Sequence, residues 1–483
     1  MVDGSISYQT DAYVNGEWTA AASGARFDVT NPATGEVIAS VSDLRQFDVE
    51  GAIAAATLAF PAWSKQLAPE RANALKRWFA LILEHEERLA QIMTAEQGKP
   101  LAEARGEIRY AASFVEWFSE EARRVYGDII PAHTTATRLL TLKQAVGVVA
   151  AITPWNFPAA MITRKVGAAL AAGCTVLVKP SELTPLTALA LADLAQKAGI
   201  PAGVFNVVTT SDPEQFSVPV MSSNDVRKIS FTGSTAVGKM LLRRAADSVK
   251  RVSLELGGNA PFIVFDDANV EAAVEGAIAS KYRNGGQTCV CSNRIYVQEG
   301  IMPQFSALFA KRVSQLQVGP GTSPTCDIGP LINQKAVDKV QRLIQNATEG
   351  GAKVLLGGKL SPLGGTFFAP TILVGGRDSM DISKEEIFGP VSVLYSFTSE
   401  EEVIQRANDT AFGLAAYFYT QDLARSWRVS EQLEYGIVGI NTGLISTAVG
   451  PFGGMKESGL GREGSRYGVD EYLETKFVCV GGI

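Results

Sequence analysis

The chain has 483 residues, 46 % hydrophobic and 19 % charged, enough apolar content for sizeable cores and too much for a disordered polymer. Its formal charge is −6 with no long basic run, which weighs against nucleic acid and anionic membrane as partners. The first residues, "MVDGSISYQTDAYVNGEW", lack a basic start and an apolar stretch, and no window is apolar enough over about 18 residues to span a bilayer. Cys174, Cys289, Cys291, Cys326 and Cys479 form an odd, scattered set, which suits a reducing compartment better than a disulfide framework. A cytoplasmic location is therefore expected. The two histidines, His85 and His133, lie far upstream and offer no zinc-ligand spacing, so no metal is expected. A nucleophilic cysteine here would draw on a carboxylate as its base.

Residues 49–126 read as helices. "RANALKRWFALILEHEERLAQIMTAEQGKP" has helical periodicity and stops at Gly98 and Pro100. Residues 138–144, "RLLTLKQ", alternate like a half-exposed strand. From 147 onward short apolar strands alternate with helices: "VGVVAAIT", "CTVLVKP", "GVFNVVT", "VRKISFTG" and "RVSLELGG". Such βα alternation implies a parallel sheet covered on both faces, with ligands at the carboxyl ends of its strands. A second α/β region starts near residue 260, with strands in "PFIVF", "NRIYVQ", "TILV", "VSVLYSF", "AAYFYT" and "YGIVGIN". The tail, "DEYLETKFVCVGG", alternates like a lone strand that must pair with residues 138–144 or with another subunit.

Several strand ends carry polar residues. In "ITPWNFP", Asn156 sits in a bend, where its amide either donates to a developing oxyanion or stabilises the turn. In "VLVKPSE", Lys179 and Glu182 stand at the ligand edge of the sheet; Glu182 could accept from ribose hydroxyls, or both could be solvated loop residues. "FTGSTAVG" is a strand, a glycine turn and a helix start that would favour a phosphate, though it matches neither standard phosphate motif. Glu255, in "SLELGGNAP", interrupts an apolar strand end, where a carboxylate must be solvated, paired or used. In "NGGQTCVCSN", Gly285 and Gly286 precede two cysteines one residue apart, either of which could be a reactive thiol or a small buried side chain.

Taken together, "PWNFP", "KPSE", "FTGSTAVG", "LELGGNAP", "GGQTCVCSN", "EEIFGPV" and "PFGGMKESGLGREG" resemble the aldehyde dehydrogenase superfamily, in family order and across nearly the whole chain. The stretches around "PWNFPAAMITRKVGAALAAGC", "ELGGNAPFIVFDDA" and "NGGQTCVCSNR" resemble its succinate-semialdehyde-oxidising branch. The resemblance implies an α/β fold: a Rossmann-type cofactor domain (1–127 and 147–259), an α/β catalytic domain (260–445) and a small β oligomerisation element (128–146 and 465–483). It implies Cys289 as nucleophile, Glu255 as general base and Asn156 as oxyanion donor. It assigns cofactor contacts to Thr153, Pro154, Trp155, Asn156, Lys179, Ser181, Glu182, Gly233, Ser234, Leu256, Glu386 and Phe388. Arg164, Arg283 and Ser446 match residues that hold a substrate carboxylate, and Cys289 with Cys291 matches a Cys-x-Cys redox pair. The expected cofactor is NAD, because Glu182 would repel a 2′-phosphate, although Lys179 leaves NADP possible. The expected substrate is succinate semialdehyde, with glutarate semialdehyde or a broader aldehyde range as the alternative. A homodimer or homotetramer is expected. A thiol esterase or a non-catalytic binding protein on the same fold are the competing classes.

Overall fold

The computed structural model describes residues 7–483. Four successive helices, Gln46–Ser64, Ala68–Glu84, Glu86–Gln97 and Leu101–Glu121, occupy the stretch that reads as helical. The third ends at Gly98, whose φ of 91° is a left-handed cap that glycine adopts without strain. A Cβ on Gly98 would also lie 2.7 Å from Pro330 Cγ and 2.8 Å from Pro32 Cγ, so the turn is packed as well as bent.

The βα alternation builds a parallel sheet from Arg251–Glu255, Val226–Thr232, Val148–Ile152, Thr175–Lys179 and Phe205–Val207, in that spatial order. Its edges are extended antiparallel by Gly459–Leu460 on one side and by Ala12–Val14 with Glu17–Thr19 on the other. A second sheet orders Thr371–Val374, Val391–Phe397, Ser292–Gln298, Ala260–Val264, Ala415–Tyr419 and Ile437–Ile440 in parallel, with Lys353–Leu356 antiparallel at its edge. The central strands of both sheets are buried on both faces, as parallel strands under helices must be. The tail strand Leu473–Gly481 pairs antiparallel with Thr137–Ala145, from Leu473 opposite Ala145 to Gly481 opposite Thr137. This small sheet keeps Ile129 and Phe477 exposed, at 92 % and 59 %. Among the described residues no helix is long and apolar enough to cross a membrane.

Several elements lie outside the sequence reading. The N-terminal strands and the edge pieces run only two to six residues, too short for a period to register. The helix Pro213–Ser222 contains Pro219 and begins with Pro213, and those prolines mask its helical pattern; Asp212 caps it by accepting from Glu214 N–H.

The largest core joins the helical layer to the first sheet. Trp78 is fully buried, stands 5.6 Å from the Phe205 ring and donates its indole N–H to Leu191 O at 3.1 Å. Trp78→Ala should destabilise the fold by about 3–5 kcal/mol through lost burial and the cavity left behind. A urea unfolding midpoint equal to the parent's would mean that this contact is not part of the cooperative core.

Candidate functional site

Strand register brings the polar strand ends to one edge. Ile152 lies opposite Phe231, and Thr232 opposite Glu255, so the segments that follow these strands leave the sheet side by side. A cavity of about 360 Å³ opens there. Pro154, Trp155 and Asn156 form one wall, and Gly233, Ser234 and Leu256 another. The second sheet contributes Cys289, from the loop ahead of Ser292–Gln298, and Glu386 with Phe388, from the segment ahead of Val391–Phe397. Trp155 and Phe388 meet edge to face at 5.5 Å. Lys335 and Lys339 also reach the cavity, from the start of helix Gln334–Glu349, and Lys339 Nζ donates to Glu386 O at 2.5 Å. Neither lysine stands out in the sequence. The helix is visible as an amphipathic run behind an Asn cap, but nothing in its pattern ties it to the site.

Cys289 sits in a turn closed by a hydrogen bond from Cys291 N–H to Thr288 O at 3.1 Å. The chain enters that turn through left-handed residues: Asn284 at φ 53°, Gly285 at 61° and Gly286 at 76°. Gly286 could carry no side chain, since a Cβ would fall 2.2 Å from Gly389 O. Burial pushes the Cys289 thiol up to about 12; Glu386 and Glu255 reinforce the shift, and Arg164 and Arg283 oppose it. Cys291 shares the turn but points elsewhere: it is 3 % exposed, and its thiol donates to Lys281 O at 3.5 Å.

Asn156 is buried, and its amide Nδ2 donates to Gln287 O at 3.1 Å, which ties it to the cysteine turn. Glu255 is equally buried, and neither carboxylate oxygen has a hydrogen-bond partner. Burial and the neighbouring Glu463 hold its carboxyl well above the usual range. Glu255 is not part of the cavity wall; its Oε1 faces Gly453, where a Cβ would fall 2.8 Å away. Glu386 accepts from Gly258 N–H at 3.1 Å, and burial pushes its carboxyl up to about 7.

The residues present fit a dinucleotide. Gly233 lines the cavity with bare backbone, and a Cβ there would run into the Phe231 ring at 2.4 Å. Ser234 caps helix Thr235–Ala246, leaving N–H groups of its first turn toward the cavity side. Thr232 Oγ1 is buried without a partner beside it. Thr153, Lys179, Ser181 and Glu182 lie beyond the cavity wall, at the neighbouring ends of the first sheet. Thr153 N–H donates to Lys179 O at 3.1 Å, Ser181 Oγ accepts from Leu183 N–H at 3.2 Å, and Lys179 Nζ contacts Glu182 Oε2 at 3.2 Å.

The three predicted carboxylate contacts separate. Arg283 and Ser446 line one narrow crevice with Val290 and Tyr417. The Arg283 guanidinium lies 5.3 Å from the Phe157 ring centroid and, among the described residues, makes no ion pair or side-chain hydrogen bond. Arg164 is 1 % exposed, lies over the Phe452 ring at 4.5 Å and is ion-paired with Glu463, which also pairs with Lys165. Its Nη2 stays buried without a partner. The "GREG" stretch thus supplies a buried acid that the sequence reading did not single out.

The sequence pattern described as Aldehyde dehydrogenase family matches residues 18–478. The chain is 57 % identical over 474 residues to the succinate-semialdehyde dehydrogenase [NADP(+)] GabD of Escherichia coli (strain K12), covering 98 % of each. It is 58 % identical over 476 residues to the glutarate-semialdehyde dehydrogenase of Pseudomonas aeruginosa, covering 99 % of this chain and 98 % of the relative. The crystal structure of succinate-semialdehyde dehydrogenase from Burkholderia pseudomallei superposes with a TM-score of 0.98 at 55 % identity over the full length of both chains.

Burial and the neighbouring carboxyls favour the neutral form of the Cys289 thiol in the ligand-free protein. Iodoacetamide labelling of Cys289, followed by peptide mass spectrometry, should therefore rise about tenfold per pH unit between roughly pH 7 and 9. A labelling rate that is flat across that range would mean that the thiolate is already formed.

Proposed function

This chain belongs to the aldehyde dehydrogenase family, and from that premise we propose that it oxidises succinate semialdehyde to succinate with reduction of a nicotinamide cofactor. The observation that carries the reading is one cavity lined by a cysteine thiol, an asparagine amide and a dinucleotide cradle. A thiol esterase would need only the first two, so the cradle favours the dehydrogenase.

The chemistry follows from the groups present. The Cys289 thiol passes its proton to the Glu255 carboxylate, which releases it to solvent, and the thiolate adds to the aldehyde carbon to form a thiohemiacetal anion. The Asn156 amide, held by Gln287 O through one hydrogen, offers its other hydrogen to the oxyanion. The nicotinamide cofactor, when bound, supplies the hydride acceptor. The acyl group is then a Cys289 thioester. Glu255 takes a proton from water, which attacks the thioester and frees the acid. A carboxyl held high by burial is suited to that step, because a base with a raised pKa accepts a proton more readily. Its side chain must turn from Gly453 toward Cys289 to act, a rotation that a carboxyl without hydrogen-bond partners can make cheaply. The reading is tested with Glu255→Gln. A single-turnover burst of absorbance at 340 nm should survive while steady-state turnover falls by about 10²-fold or more. Full steady-state turnover would assign the water activation to another residue.

Arg283 is the leading carboxylate contact, because its guanidinium is uncommitted and shares a crevice with Ser446. Arg164 is second, since Glu463 already neutralises much of its charge. Succinate semialdehyde ranks first and glutarate semialdehyde second, in line with the names of the relatives. Arg283→Ala should raise KM for succinate semialdehyde by roughly 10–100-fold, the loss of a charge-assisted pair, and leave butanal within about twofold. An equal change for both aldehydes would remove the carboxylate role.

NAD is the favoured cofactor. Glu182 stands at 3.2 Å from Lys179, so a 2′-phosphate would meet a carboxylate and a cation already engaged. The Escherichia coli relative is named for NADP(+), so the preference of this chain is tested directly at Glu182. Glu182→Ser should improve kcat/KM for NADP by about tenfold or more and weaken NAD use. A parent enzyme equally efficient with both cofactors would overturn the preference.

A further inference from the structure

A buried polar network outside the cavity wall grips both halves of the site. Lys99 is 2 % exposed and Glu107 4 %. Lys99 Nζ donates to Glu107 Oε2 at 2.5 Å and to the main-chain oxygen of Asn156 at 2.8 Å. Glu107 Oε1 accepts from Ala159 N–H at 3.0 Å and Ala160 N–H at 3.3 Å. The ion pair therefore holds the bend that carries Asn156 at both of its ends.

A second tie runs to the cysteine loop. Gln97 Oε1 accepts from Lys99 N–H at 3.0 Å, and its Nε2 donates to Asn284 Oδ1 at 3.0 Å. Asn284 Nδ2 donates to Asn156 O at 2.9 Å and to Gln287 O at 3.2 Å. Gln287 O is also the acceptor for the Asn156 side-chain amide at 3.1 Å. Asn156 thus has its backbone oxygen held by two donors and one side-chain hydrogen committed, and the other is left free. A buried ion pair is a poor device for stability alone, because desolvation offsets most of its attraction. Here its remaining hydrogen bonds all go to the backbone of one bend.

We propose that Lys99 and Glu107, together with Asn284, are positioning residues that aim the Asn156 amide at the oxygen of the Cys289 adduct. This rests on the reading of Asn156 as the oxyanion donor.

The test compares Lys99→Met/Glu107→Gln, changed together so that neither member of the ion pair is left without the other, with Asn284→Ala, which keeps the ion pair. Each is made in the parent and in Asn156→Ala. The readouts are the single-turnover burst rate with succinate semialdehyde and the Kd for NAD by fluorescence titration. In the parent each change should slow the burst by about 30-fold or more, with the Kd for NAD within about twofold. In the Asn156→Ala background the same changes should cost less than about threefold, because the group they aim is gone. Losses that multiply in full in that background, or a Kd that moves as far as the rate, would overturn the proposal in favour of general disruption. If the double variant does not fold, a burst within about threefold of parent in Asn284→Ala overturns it alone. An unaltered burst in Asn156→Ala by itself would overturn the oxyanion reading, and this role with it.

Discussion

The site depends on one close approach between two stretches of backbone. The crossover from the first sheet to the second passes through Gly257 and Gly258, and Gly258 lies directly against the turn that carries Cys289. A Cβ on Gly258 would fall 2.2 Å from Cys289 O, and one on Gly257 would fall 3.2 Å from Glu386 Oε2. No side chain fits at Gly258, and one at Gly257 would press on the Glu386 carboxylate. Because the gap is closed, Gly258 N–H reaches Glu386, and the thiol, the acid and the end of strand Arg251–Glu255 share one small volume. The glycines act here through the room they leave for backbone and carboxylate rather than through unusual dihedral angles.

Closing that volume has an electrostatic consequence. Burial drives three groups in or beside the cavity toward their neutral forms. The Cys289 thiol and the carboxyls of Glu255 and Glu386 are all pushed up, with burial as the largest cause in each case. The compensating cations are shared out rather than aimed at the thiol. Glu463 takes both Arg164 and Lys165, and Lys99 is taken by Glu107. Among the cavity's own residues, Lys335 and Lys339 are the cations that reach the space in front of Cys289.

The two arginines illustrate how partners alter a residue's availability. Through the family resemblance both match arginines that hold a substrate carboxylate. Arg164 packs on Phe452 and pairs with Glu463, whereas Arg283 keeps its guanidinium uncommitted beside Phe157. Neither state can be read from local pattern, because Phe452 and Glu463 come from the far end of the chain.

The sequence by itself determined the elements and the edge at which the site forms. Apolar runs bounded by glycine and proline mark strands, their alternation with helices forces a parallel sheet, and parallel sheets expose their carboxyl ends. Asn156 and Gly233 were legible for that reason, Cys289 only as one of two candidate thiols, and Leu256 and Glu386 only through the family resemblance. The tertiary structure alone decided what each of these groups touches. It turned Glu255 toward Gly453, brought Lys335 and Lys339 to the cavity, and tied the unremarkable "EQGKP" helix end to Asn156. It also added the short antiparallel edge strands, which carry too few residues for any period. The physical reason is common to all of these. Local structure follows from neighbours in the chain, which sequence displays, but pairing, burial and charge depend on neighbours in space.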